Sequence, residues 1–254
     1  MDDRTIVEWA SEIAKAGTAY YSGEDYSDSN GQQRYFKCFV TDGIVCQEKW
    51  AQLNNPRVLV ILRETREQFD YCRSDIGGNI FDLTKYLTKP NDEYKFEWNT
   101  PKSTYRPVKE WIETIFKKYG YDIPKNDNIF EHVAVMNLKK TPGGATHDNK
   151  LGKFCKDFKE RLYKQIHEIN PKIIILANEY NNFFKKIMKD HIACDEMKHV
   201  QSNRKDPSPL GLYICKQCSL KTSPLLVFNA YHPCTNRTTA EDFQILLDQY
   251  DPKK

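Results

Sequence analysis

Four short apolar runs punctuate the chain, and each stops abruptly on polar residues. Arg57 to Leu62 runs into Arg63-Glu64-Thr65, and Val133 to Met136 into Asn137-Leu138-Lys139. Lys172 to Ala177 ends on Asn178, and Leu225 to Ala230 leads straight into Tyr231-His232-Pro233. Runs so short and so rich in Val, Ile and Leu suit strands buried on both faces of a parallel sheet. Parallel neighbours need crossovers of a dozen or more residues, and the segments between the runs change to a helical period. That alternation predicts an α/β fold, a three-layer α/β/α sandwich around a central four-stranded parallel sheet. In such a sheet, ligands bind at the carboxyl ends of the strands.

The helical segments are defined by their apolar faces. Ile6, Trp9, Ala10 and Ile13 share one face near the start. Val108, Trp111, Ile112, Ile115, Phe116 and Tyr119 share another, begun by Pro107 and stopped by Gly120. Leu151, Phe154, Cys155, Phe158, Leu162, Ile166 and Ile169 predict one long helix ending at Asn170-Pro171. Tyr180, Phe183, Phe184, Ile187 and Met188 mark a further helix, and Phe243, Leu246, Leu247 and Tyr250 the last, with Thr238 and Glu241 as its capping box. The polar stretch from Ser22 to Gln33 reads as a loop. So does the stretch from about Ser74 to Thr104, whose Phe81, Tyr86, Tyr94, Phe96 and Trp98 argue for a functional rather than a disordered segment.

With 254 residues, 39% of them hydrophobic, the chain can bury a substantial core. One domain is expected over 1–254, with 1–56 as an N-terminal helical extension and 57–250 as the core. No apolar run approaches the roughly 20 residues of a membrane span, and no cationic leader precedes one, so a cytoplasmic protein without membrane contact is expected. A net charge of +3 permits a polyanionic partner without demanding one, so any nucleic-acid contact must rest on a local patch. Eight cysteines without a leader read as reduced thiols. Cys215-Lys216-Gln217-Cys218 has the spacing of half a zinc site, with Cys194 and His199 as ligands for the other half, but a hairpin carrying two thiols is the favoured reading and no metal or cofactor is expected.

Several enzyme classes are excluded by their motifs. No glycine follows the first strand in Leu62-Arg63-Glu64-Thr65, which argues against phosphate cradling there. G-x-S-x-G is absent, and Pro233-Cys234 opens a deaminase zinc string that Thr235-Asn236-Arg237 does not complete.

The strand-end motifs resemble those of the uracil-DNA glycosylase superfamily. In its best-known branch the first strand runs into Gly-Gln-Asp-Pro-Tyr, the second ends in an asparagine and the last runs into His-Pro-Ser. Here Leu62-Arg63-Glu64-Thr65-Arg66, Val135-Met136-Asn137-Leu138 and Tyr231-His232-Pro233-Cys234 take those places, in order and spacing over roughly Arg57 to Tyr250. The resemblance implies a DNA glycosylase that hydrolyses the N-glycosidic bond of a flipped-out pyrimidine. Such a reaction passes through a sugar cation and a departing base anion. Glu64 would then position water and offset the cation, His232 would donate to the base carbonyl oxygen, and Asn137 would read the base edge through its carboxamide. Tyr71 or Phe81 would stack on the base, with Tyr231 also lining the substrate site.

Two departures bear on substrate. Glu64 is one methylene longer than the family's aspartate, and Arg66 stands where that branch holds a tyrosine against position five of the base. A mobile, donor-rich guanidinium cannot form the same flat gate and can bond a polar substituent. A pyrimidine modified at position five, hydroxymethylated or glucosylated as in phage DNA, is therefore the expected substrate, with a defence role. Arg63, Lys139, Lys140, Asn236 and Arg237 would contact single- or double-stranded DNA, Cys234 to Arg237 forming a polar wedge, and the protein would act as a monomer. Taken singly, each residue has an ordinary reading: Glu64 with Arg66 as a solvated pair, Asn137 as a turn cap, His232 as a core histidine. A catalytically silent relative that binds DNA or a modified nucleotide as a sensor is the rival function.

Overall fold

The computed structural model describes residues 8–13, 39–63, 80–88, 105–141, 150–177, 180–193, 196–199, 211–218, 220, 224–233 and 237–250. Eleven strands are defined among them: β1 (Phe39–Thr41), β2 (Gly43–Ile44), β3 (Val58–Leu62), β4 (Ile80–Asp82), β5 (Ala134–Asn137), β6 (Ile173–Ala177), β7 (Ile192–Ala193), β8 (Glu196–His199), β9 (Gly211–Cys215), β10 (Gln217–Cys218) and β11 (Leu225–Ala230). Seven of these form one mixed sheet in the order β2-β5-β3-β6-β11-β9-β8.

The four apolar runs are β3, β5, β6 and β11, adjacent and mutually parallel. The sheet is nonetheless wider than the four strands expected. β2 adds antiparallel to β5 at one edge, and β9 and β8 add antiparallel beyond β11 at the other. β2 also changes the reading of residues 1–56, since part of that expected helical extension is a strand of the main sheet.

Alternation along each strand divides the core between the two faces. Val58, Val60, Val135, Ile173, Ile175, Leu226 and Phe228 pack on one side with Trp111, Ile112 and Ile115 of the helix Tyr105–Lys118 and with Phe243, Leu246 and Leu247 of the helix Ala240–Gln249. Leu59, Ile61, Met136, Ile174, Leu176 and Val227 face the opposite side. There they meet Trp9 and Ile13, the helices Lys150–Asp157 and Lys159–Ile169, and Phe183, Ile187 and Met188. Helices thus flank both faces, as the alternation of strand and helical periods requires.

Local details differ from expectation in instructive ways. The long helix expected over 151–169 is interrupted at Phe158, whose backbone leaves the helical region (φ −109°, ψ 21°) although its N–H still donates to Phe154 O at 2.9 Å. It ends as expected at Asn170, which takes the left-handed conformation (φ 52°) before Pro171. The capping box of the last helix lies one residue later than the sequence suggested. Thr239 Oγ1 accepts from Asp242 N at 3.3 Å, and Asp242 Oδ2 accepts from Thr239 N at 2.8 Å. The segment from Phe183–Met188 is a π-helix, not an α-helix. Within the stretch read as one long loop, β4 and a helix over Leu83–Thr88 are formed. No helix among the described residues is long and apolar enough to cross a membrane.

Candidate functional site

Register brings the carboxyl ends of the four parallel strands level. Asn137 pairs with Leu62, Ile61 with Leu176, and Ala177 with Ala230, so the last residues of β5, β3, β6 and β11 form one row across the sheet. With neighbouring strands about 4.8 Å apart, Leu62 and Ala230 are separated by roughly 10 Å and Asn137 and Ala230 by roughly 14 Å. Side chains leaving this row can converge on one small ligand. Asn137 stands at the end of β5, and His232 two residues beyond the end of β11.

Arg63 follows β3 directly, partly buried, and its carbonyl accepts from Lys139 N at 2.9 Å. Glu64 is the next residue in the chain and lies outside the described residues, as do Arg66, Tyr71 and Asn236. Phe81 lies on β4, and its side chain is outside what is described. Its backbone pairs with Val40 of β1, and Val40 N donates to Lys140 O at 2.8 Å, so β1 and β4 run beside the segment leaving β5.

Beyond β11, Tyr231 and His232 are half-buried and Arg237 is exposed. The Arg237 guanidinium sits 5.1 Å from the centre of the Tyr231 ring, a cation–π contact that holds the cation at this rim. The loop is closed beneath it: Tyr231 N donates to Thr238 Oγ1 at 2.9 Å, and Trp111 Nε1 donates to Thr238 O at 3.3 Å. Thr238, expected as a helix cap, acts instead as the latch of this loop.

The two lysines after Asn137 do not fit the expected phosphate contact. Lys139 and Lys140 are both fully buried, with no surface to offer a polyanion. Lys140 Nζ reaches Asp42 Oδ1 at 2.6 Å and Oδ2 at 2.7 Å, with both side chains at 0% exposure. Burial lowers the Lys140 pKa from its ordinary value, and the Asp42 carboxylate opposes that fall. Gln165 Nε2 donates to Asp42 Oδ1 at 2.7 Å, and Asn137 N donates to Asp42 Oδ2 at 2.6 Å. A buried pair survives its desolvation cost only when its remaining hydrogen-bonding capacity is met in this way.

Sequence reasoning did not find Asp42 or Gln165. Asp42-Gly43 reads locally as a turn, and nothing in the sequence announces a partner 98 positions away. The hairpin expected for the C-x-x-C motif is also absent. Cys215 ends β9 and Cys218 ends β10, but β9 pairs with β8 and β11 while β10 pairs with β7. Neither cysteine is in a disulfide; Cys215 is buried and Cys218 partly so. Cys194 lies outside the described residues, and His199 is described only through its place on β8. Among the described residues, no three His, Cys, Asp or Glu side chains gather as a metal site.

No protein-family model matches this chain, and no curated protein matches it.

Proposed function

We propose that this chain is a DNA glycosylase that hydrolyses the N-glycosidic bond of a flipped-out pyrimidine, with a base modified at position five as its substrate. The level row of strand termini is the observation that carries the reading, because it sets Asn137, the exit of β3 toward Glu64, and Tyr231-His232 along one rim. The chemistry needs three functions within reach of one nucleoside: an anion near the sugar, a donor at the base carbonyl and a bidentate reader of the base edge. Glu64, His232 and Asn137 supply them. Arg66 supplies a donor for a hydroxymethyl or glucosyl group in place of the flat tyrosine gate of the family's best-known branch. Arg237, held over Tyr231 at 5.1 Å, is an exposed cation at the same rim and suits a backbone phosphate.

The reading is tested by separating base release from DNA binding. Glu64→Gln and His232→Ala are expected to lose base release from hydroxymethylated or glucosylated DNA by about 100-fold or more while retaining most of the binding. Variants that release base at the parent rate would overturn the assignment of these two roles. A parent protein that binds such DNA and releases nothing is instead a sensor, and would end the proposed activity.

A further inference from the structure

We infer that Asp42 is a positioning residue of this site, acting through the backbone amide of Asn137 and the ammonium of Lys140 to fix the segment that leaves β5. The inference rests on the reading of Asn137 as the residue that holds the base. β2 begins at Gly43, paired with Val135, and runs antiparallel away from Asn137, so its ladder does not reach Asn137. The Asp42 carboxylate takes its place. Oδ2 accepts from Asn137 N at 2.6 Å, where a strand would have offered a carbonyl. A charged acceptor makes a shorter and stronger bond than a carbonyl, and one buried at 0% exposure does not exchange it for water.

The same carboxylate reaches three residues further along. Lys140 Nζ is bound to both of its oxygens, while Val40 N, from the strand on the other side of Asp42, donates to Lys140 O. Opposite, Leu138 N donates to Leu62 O at 2.9 Å and Lys139 N to Arg63 O at 2.9 Å. Residues 137–140 are therefore held from both sides, by β3 and its exit on one flank and by residues 40–42 on the other. Gly43 makes the arrangement possible: its φ of 144° lies where an L side chain is strained, and that bend lets Asp42 aim back across the end of β5. A carboxamide reading a base must hold its plane, and misplacement by about 1 Å costs on the order of 100-fold in rate.

The test replaces the pair by neutral groups of similar size, Asp42→Asn with Lys140→Met, because Asp42→Asn alone leaves a buried ammonium uncompensated and invites unfolding. For base release from hydroxymethylated DNA, kcat is expected to fall about tenfold or more, with KM changed less than about threefold. Backbone hydrogen exchange is read on the same samples. The Asn137 amide is expected to exchange at least about tenfold faster relative to that of Val135. A double variant with the parent kcat, or with unchanged Asn137 exchange, would overturn the inference. If the parent releases no base, the glycosylase reading fails and the positioning role falls with it, whereas a parent that releases base and a double variant that matches its kcat overturn the positioning role alone. Should the double variant not fold, Gln165→Leu leaves the ion pair intact and removes one donor from Asp42. A roughly threefold lower kcat is then expected, and an unchanged one counts against the role.

Discussion

Asp42 bonds the last residue of β5 through Asn137 N, and the buried His132 ends the 3-10 turn that stands two residues before Ala134. His132 Nε2 lies 3.2 Å from Asp127 Oδ2, and its Nδ1 lies 2.7 Å from the Tyr121 hydroxyl. A carboxylate only accepts, so Nε2 carries the proton of the neutral ring, and Nδ1 faces the Tyr121 hydroxyl, whose single proton also has Gln52 Oε1 within reach. Lys49 donates to the same Asp127 oxygen. Burial lowers the His132 pKa below its ordinary 6.5, outweighing the pull of Asp127. The unfolded chain therefore takes up a proton near pH 6.5 that the folded protein resists, so stability falls as pH drops below that value and is unaffected by this group above it. Asp127 acts in another window. Its pKa is depressed, chiefly by the hydrogen bond from Lys49, so what it contributes is lost only as pH falls below 3.8. Thermal midpoints measured from about pH 8 to about pH 5 should decline for the parent and flatten in His132→Gln. An equal decline in both would contradict the assignment.

Among the elements, the strands with long apolar runs were legible and the short edge strands were not. β3, β6 and β11 are five or six residues of almost unbroken apolar character, and burial on both faces leaves no alternative use for them. β2 is two residues long, and β8 carries Glu196 and Lys198, so neither has a pattern to read. β9 reads Gly-Leu-Tyr-Ile-Cys, a run short enough to be overshadowed by the C-x-x-C motif that it opens. The register of the capping box was off by one because Thr238 and Thr239 are both competent caps, and only the tertiary bond from Tyr231 N decides that Thr238 is used elsewhere. Gly43 is the element joint whose identity matters most. Beyond its two chain neighbours, no atom lies within 4 Å of where its Cβ would stand, so Gly43→Ala meets no tertiary clash and tests backbone strain. It should cost about 1 to 3 kcal/mol and lower the thermal midpoint by several degrees. An unchanged midpoint would mean that the bend at φ 144° is not required.

Taken together, the sheet explains why the site was only partly legible. The motif-bearing strand ends could be ordered from the sequence because each candidate residue stands within two positions of the end of an apolar run. Their lateral order, β5-β3-β6-β11, and their level termini come from pairing, which no local pattern encodes. The same gap misled the reading of Lys139 and Lys140. Two consecutive lysines after a strand suggested a phosphate contact, whereas both are buried and Lys140 serves an internal carboxylate. Of the other residues expected to contact DNA, Arg63 is partly buried directly after β3, Arg237 is exposed between β11 and the last helix, and Asn236 lies outside the described residues.

The most direct measurement is the mass of the base freed when the parent protein is incubated with DNA carrying uracil, hydroxymethylated or glucosylated pyrimidines. Release of a modified pyrimidine in amounts equal to the abasic sites formed, with uracil released more slowly, is the predicted result. DNA that stays free of abasic sites across the panel, or efficient release of uracil alone, would contradict it.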